Sequence, residues 1–286
     1  MVNEWDRGEV KTMEVHDLLK KPEYADLHNF AALNASIYVD NKSDPVHSID
    51  RFCQDIYKKK KDEKEIKYIP YEWKRVDSIP AFPEVPTGNF KINGLKYQVF
   101  IKETQNSPTQ AVIVFRGTDF NSPGDWITNL RWIARLIPFS WDQYDQTRAL
   151  IPPLVEYIRN DYGKDVRIVT TGHSLGGGLA QQALYVTPYI KHAYAFNSTV
   201  VTGFYDVEEF SERDINKVGV SVFKISERGE ILQYLRNLFR PFTLLSELSE
   251  KDPHIFEVSS NFYGGEMVEQ HGMKRLACKL LPIASN

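Results

Sequence analysis

Cysteine is scarce in this chain, with only Cys53 and Cys278 among 286 residues. One pair admits a single disulfide and excludes the dense cross-linking that holds small secreted scaffolds together. Long apolar runs are missing too, and none approaches the ~20 residues a helix needs to cross a bilayer. Charge of one sign is also lacking. A net charge of −3 offers no basic face to nucleic acid. The one dense basic run, Lys58 to Lys61, is followed directly by Asp62, Glu63 and Glu65, as in a solvated surface segment. The first residues, Met1-Val-Asn-Glu-Trp-Asp-Arg7, show no basic end followed by an apolar stretch. The expectation is therefore a soluble, cytoplasmic protein, with export by a signal-independent route left open.

What is present suits a folded enzyme-sized unit. Apolar residues make up 42% and charged residues 26% of the chain, as in ordinary soluble domains, and one core can support this length. No repeat or low-complexity segment stands out. From Asp26 to Tyr38 the apolar residues Leu27, Phe30, Ala31, Leu33 and Ile37 recur at helical spacing. Residues 41–93 are polar, with prolines at Pro80, Pro83 and Pro86, and read as irregular elaboration. Residues 1–93 are thus expected to form an N-terminal elaboration packed on a core of residues 94–286, within one domain overall.

The core pattern begins at Leu95. Leu95–Ile101 reads as a strand, followed by a turn over Gln105–Pro108. Gln110–Phe115 is a continuous β-branched apolar run, the mark of a strand buried on both faces. A helix over Thr147–Tyr162, a strand over Val166–Thr170, a helix over Leu175–Tyr185 and a strand over His192–Phe196 follow. Val218–Ile225 is one more strand, Glu230–Phe239 one more helix, and Met273–Leu281 a C-terminal helix. Strands alternating with helices imply a mostly parallel sheet covered by helices on both faces.

Between one such strand and helix lies Gly172-His173-Ser174-Leu175-Gly176. In that context G-x-S-x-G is a nucleophile elbow, a turn so sharp that the flanking residues must lack side chains. It lifts the Ser174 hydroxyl above the sheet, where the helix aims its N–H groups at any forming anion. Three fixed positions arise by chance in roughly one protein in ten of this size. The β-branched Ile168–Thr171 before them and the small residues Gly177, Gly178 and Ala180 after them supply the weight.

An acyl-transfer intermediate needs two preset donors for its oxyanion. The backbone N–H of Leu175 is one, by position. The other is expected at the end of the earlier strand, in Val114-Phe-Arg-Gly-Thr118, at the N–H of Thr118. Downstream, Trp126, Leu130, Ile133 and Ile137 share one helical face, with Thr128, Arg131 and Arg135 opposite. That helix reads either as a lid or acyl-chain wall, or as an ordinary core helix. A serine needs a histidine to take its proton and a carboxylate to hold that histidine. His192, His254 and His271 follow Ser174, and His271, in the loop before the C-terminal helix, is the choice, with His254 in reserve. For the carboxylate the choice is Glu230, at a helix start just after a strand, with Glu227 next and Asp214 too early. A carboxylate there also serves as a helix cap. No metal cluster or phosphate-cradling loop appears, so the chemistry needs no cofactor, and a calcium site is left open.

These pieces together resemble the class 3, fungal-lipase-like family of the α/β-hydrolase superfamily. The resemblance is carried by Val114–Thr118 with Asp125–Leu130, by Thr171–Ala180, by Arg228–Ile231 and by His271. It implies an α/β-hydrolase fold, lipase or phospholipase activity on lipid esters, a Ser174–Glu230–His271 triad and a helical lid. The partner implied is a lipid or other acyl ester, with transient contact at a membrane surface. The family usually has Asp where Glu230 stands, and often a Pro-Arg pair where Phe196-Asn-Ser-Thr199 stands. A bacterial relative injected into other cells as a phospholipase toxin would share these features. A thioesterase or peptidase with the same triad and a non-catalytic binding module are the competing readings.

Overall fold

The computed structural model describes residues 20–21, 24–38, 53, 73–82, 94–104, 107–117, 125–200, 202–203, 207, 210–230, 232–233, 253–260 and 272–280. Within them the helices are α1 (Leu27–Ser36), α2 (Asp125–Tyr162), α3 (Leu175–Val186), α4 (Phe210–Asn216) and α5 (Met273–Leu280). The strands are β1 (Lys74–Arg75), β2 (Tyr97–Thr104), β3 (Ser107–Phe115), β4 (Arg167–His173), β5 (Ile190–Phe196), β6 (Ser221–Glu227) and β7 (His254–Ser260).

The seven strands form one sheet in the order of the chain. β1, β2 and β3 pair antiparallel, and β3 through β7 run parallel. β4, which leads into the elbow, is thus the middle strand. Alternation of side chains divides the apolar residues into two cores. Val112, Val114, Tyr194, Phe223 and Val258 face α1 and α5, while Ala111, Ile113, Phe115, Ile168 and Val222 face α2 and α3. This is the α/β-hydrolase fold expected from the sequence, a mostly parallel sheet with helices on both faces.

On the α1 side, Tyr194 stacks on Phe223 at 4.6 Å and Phe223 on Phe256 at 4.9 Å, with Phe30 of α1 tilted against Tyr194 at 4.6 Å. Large flat side chains on neighbouring parallel strands stack across the sheet and cover it with little entropy loss. A disulfide joins Cys53 to Cys278 in α5, closing a separation of 225 residues. α5 packs on α1, so this face is held by the two ends of the described chain.

Several boundaries differ from those the sequence suggested. The stretches 125–139 and 147–162 belong to one 38-residue helix, in spite of Pro152 and Pro153. Leu150, Ile151, Leu154, Val155 and Ile158 are all buried along it, and that burial outweighs the roughly 3 kcal/mol a helical proline costs. β6 starts at Ser221 rather than Val218, because Val218 is exposed and Gly219 turns the chain at φ +68°. The short β1, inside the segment read as irregular, pairs Lys74 with Ile101. α4 was not foreseen. The helix read over 230–239 lies outside the described residues except at 230 and 232–233. No described helix is long and apolar enough to cross a membrane.

Candidate active site

β4 ends at His173 and α3 begins at Leu175, so Ser174 alone makes the turn between them. Its backbone sits at φ 58°, ψ −123°, a region that side-chain-bearing residues avoid at a cost of about 1–3 kcal/mol. Three backbone hydrogen bonds hold it there. The Ser174 N–H donates to the Phe196 carbonyl at 3.0 Å, and the Ser174 carbonyl accepts from the N–H groups of Gly177 and Thr199, both at 3.1 Å. A Cβ on Gly172 would fall on the carbonyl of Gly176, and one on Gly176 would fall on the carbonyl of Phe115. The serine is therefore clamped between the ends of β3, β5 and α3, at the N-terminus of a helix whose dipole favours a developing negative charge.

The loop after β3 comes to the same point. A Cβ on Gly117 would lie 3.3 Å from the Ser174 Cβ and 3.0 Å from the Tyr38 hydroxyl. Arg116-Gly117 and Ser174, distant in sequence, thus meet as an oxyanion loop and nucleophile would. Thr118 lies outside the described residues. Tyr38 comes from just beyond α1, and its oxygen accepts the Gly117 N–H at 2.8 Å. Nothing in the sequence marked it. Its place at the end of an apolar helix gave only a packing signal.

Two glutamates lie at and just beyond the carboxyl end of β6. Asn197, at φ 41°, donates its N–H to the Ile225 carbonyl and accepts the Glu227 N–H on its side-chain oxygen, both at 2.8 Å. Glu227, the last residue of β6, and Glu230 are both wholly buried. One carboxylate oxygen of Glu230 accepts the Leu232 N–H at 2.9 Å, which is a cap for the residues that follow. A carboxylate has acceptor capacity beyond one such bond. Asp214 is exposed on α4 and paired with Lys217 at 2.7 Å, and that hydrogen bond holds its carboxyl below the usual range.

His271 lies outside the described residues, and its neighbour Gly272 leads into α5, accepting the Leu276 N–H at 3.2 Å. The other two later histidines lie at the opposite end of the strands from Ser174. His192 is near the start of β5 and His254 opens β7, whereas Ser174 follows the end of β4. His192 stacks on Phe223 with centroids 6.2 Å apart. Burial, helped by the charge of Arg167, pushes its pKa down to about 4. The side chains of Trp126, Leu130, Ile133 and Ile137 lie outside the described residues, although their backbone belongs to α2. Among the described residues no group of three or more His, Cys, Asp or Glu side chains is placed to hold a metal ion.

A family model described as phospholipase-like, a Tle-like phospholipase domain, matches residues 29–238. No curated protein matches the chain in sequence. Among solved structures, the chain is similar to the Rhizomucor miehei lipase propeptide complex at 14% identity, covering 75% of this chain and 64% of that one, with a TM-score of 0.40. The chain thus spans less than two thirds of that lipase's length. It is similar to a thermostable esterase from Pseudomonas putida ECU1011 at 14% identity, covering 88% of this chain and 92% of that one, with a TM-score of 0.41. For the Pyrobaculum calidifontis esterase the identity is 11%, the coverage 93% and 98%, and the TM-score 0.37.

Proposed function

This chain belongs to the Tle-like phospholipase domain family, and from that premise we propose that it is a serine-dependent hydrolase of lipid carboxylic esters. One observation carries the reading: Ser174 is held in a strained conformation at the middle of the sheet, with the loop of Arg116 and Gly117 packed against it. Backbone strain of this kind persists only where the surrounding fold imposes it, and such residues cluster at reacting centres.

In the proposed cycle the Ser174 hydroxyl oxygen attacks the acyl carbonyl while His271 takes its proton, and Glu230 holds the imidazole in the required tautomer. The negative oxygen of the tetrahedral intermediate meets the N–H groups of Leu175 and Thr118. Collapse breaks the ester bond, and His271 returns the proton to the leaving alcohol. Water, activated by the same histidine, then releases the fatty acid and restores Ser174. His192 and His254 stand near the starts of their strands, at the opposite end from Ser174, which supports His271 as the base. The burial of Glu230 beside the end of β6 supports it as the acid, and the equally buried Glu227 is the alternative. The narrower likeness to class 3 lipases is supported by the same two motifs. The Cys53–Cys278 disulfide supports work outside a reducing cytosol, as for a phospholipase that leaves the cell making it.

The test is hydrolysis of p-nitrophenyl esters and of phospholipid vesicles by the intact chain and by Ser174→Ala, Glu230→Gln and Glu227→Gln. We expect Ser174→Ala to lose at least about 10⁴-fold in turnover, and Glu230→Gln to lose far more than Glu227→Gln. Turnover unchanged in Ser174→Ala would end the proposal. The reverse order of the two glutamates would move the acid to Glu227.

A further inference from the structure

The ring of Tyr38 packs against the core, but its hydroxyl makes a contact that packing alone does not require. Its helix, α1, serves the sheet through Leu27, Phe30, Ala31 and Leu33, all buried against the aromatic stack. Tyr38 lies past the end of that helix and is only half-buried. Its hydroxyl oxygen accepts the Gly117 N–H at 2.8 Å, across 79 positions of sequence. The same oxygen is 3.4 Å from Nδ1 of His173, the residue before the nucleophile, and the two rings meet edge to face at 5.8 Å. The guanidinium of Arg116, the residue before Gly117, stands 5.3 Å from the centre of the Tyr38 ring. One phenol thus touches both chain segments that flank the reacting centre. A single point, where a Cβ on Gly117 would sit, is within van der Waals reach of both the phenol oxygen and the Ser174 Cβ.

We propose that Tyr38 is a positioning residue for acyl transfer, its hydroxyl fixing the loop after β3 against Ser174. The inference rests on Ser174 being the nucleophile. Its physical basis is the commitment of one backbone donor. With the Gly117 N–H bound to Tyr38, that group is not free for the oxyanion, which accords with the Thr118 N–H of the proposed cycle as the second donor. An oxyanion donor works by being set before the charge appears. A loop carrying glycine has many conformations available, and the phenol bond, with Arg116 over the ring, selects one of them. Loss of the bond leaves the donor present but no longer preset, so the penalty falls on the transition state and spares substrate binding.

The test removes one oxygen, in Tyr38→Phe, beside Ser174→Ala. For Tyr38→Phe we expect kcat on a p-nitrophenyl ester to fall about 10- to 100-fold, below the 10²–10³ of losing an oxyanion donor outright. KM should change by less than about threefold, since ground-state contacts remain. Inactivation by a fluorophosphonate, which places a similar charge at the same point, should slow in proportion. A merely structural tyrosine would lower the melting temperature without this split. Turnover within about twofold of the parent, in a folded Tyr38→Phe protein beside an inactive Ser174→Ala, overturns the inference and leaves the hydrolase standing. An active Ser174→Ala removes the hydrolase reading itself. Should Tyr38→Phe fail to fold, amide exchange at Gly117 in the unaltered chain decides. Protection of that N–H is expected, and exchange at the rate of an open loop overturns the proposal.

Discussion

The side-chain amide of Asn34, in the first helix, donates to the hydroxyl of Thr171, in the strand that enters the elbow, at 2.6 Å. Both residues are wholly buried. Thr171 in turn donates to the Tyr194 carbonyl, and the Asn34 amide also donates to the Phe30 carbonyl. The helix is thereby pinned to the sheet three residues before Ser174, which carries Tyr38 to the loop it holds. Thr171→Val keeps the shape and removes the acceptor. A buried partner left without its bond costs about 1–3 kcal/mol, so chemical unfolding of Thr171→Val should show a loss of that size. Adding Asn34→Leu should cost less than the sum of the two single changes. Full additivity would show that the two side chains do not interact in solution.

Ser174 should be worse for stability than the residue that would abolish its chemistry. Glycine adopts φ 58°, ψ −123° without the Cβ clash that serine carries there. Ser174→Gly is therefore expected to be inactive yet about 1 kcal/mol more stable than Ser174→Ala, which keeps the Cβ. Thermal unfolding of the two variants measures the difference. Equal melting temperatures would mean that the strained turn relaxes in solution.

Reduction should loosen the face that carries α1 and α5. The Cys53–Cys278 bond closes a separation of 225 residues, and a loop of that order restrains the unfolded chain by roughly 3–5 kcal/mol. Thermal unfolding with and without reductant should differ by more than about 6 °C for a domain of this size. Cys278→Ser should match the reduced protein and ignore reductant. No difference between oxidised and reduced protein would show that packing of α5 on α1 suffices.

Acid should weaken the fold through His192. Its folded pKa, near 4, lies below the ordinary 6.5 because burial disfavours the charged ring. Above pH 6.5 the ring is neutral folded and unfolded, and the stability is complete. Between pH 6.5 and about 4 the unfolded chain takes up a proton that the folded one refuses, so stability falls as pH falls. The ring is partly exposed, so we discount the effect to about 1 kcal/mol, a shift of roughly 2–4 °C. Comparing melting temperatures at pH 7.5 and 5, His192→Phe should lose less than the parent by that margin. An equal loss in both would assign the acid sensitivity elsewhere.

Much of the fold was legible in the sequence because its signals are local. The run ending at Phe115 reads as a doubly buried strand from composition alone, and it became β3. The elbow reads from five adjacent residues, since the need for glycine on both sides of Ser174 is set by chain geometry within one turn. Where the local signal was ambiguous, the reading slipped. Val218 looks like strand and is exposed at a turn, and the stretches 125–139 and 147–162, separate in sequence pattern, are one helix.

The sequence by itself determined that Ser174 would stand in a sharp turn, and which strand and helix would hold it. It could not say what stands around that residue, because those partners are distant in the chain and chosen by packing. Tyr38 reaches Gly117 across 79 positions, and Asn34 reaches Thr171 across 137. Only the packing of a helix on the sheet brings such groups within hydrogen-bond distance. The same parallel sheet sends its strand ends to two opposite edges, which is why His192 and His254 stand away from Ser174 although they follow it in sequence. Local chemistry wrote the elbow, and the sheet decided its surroundings.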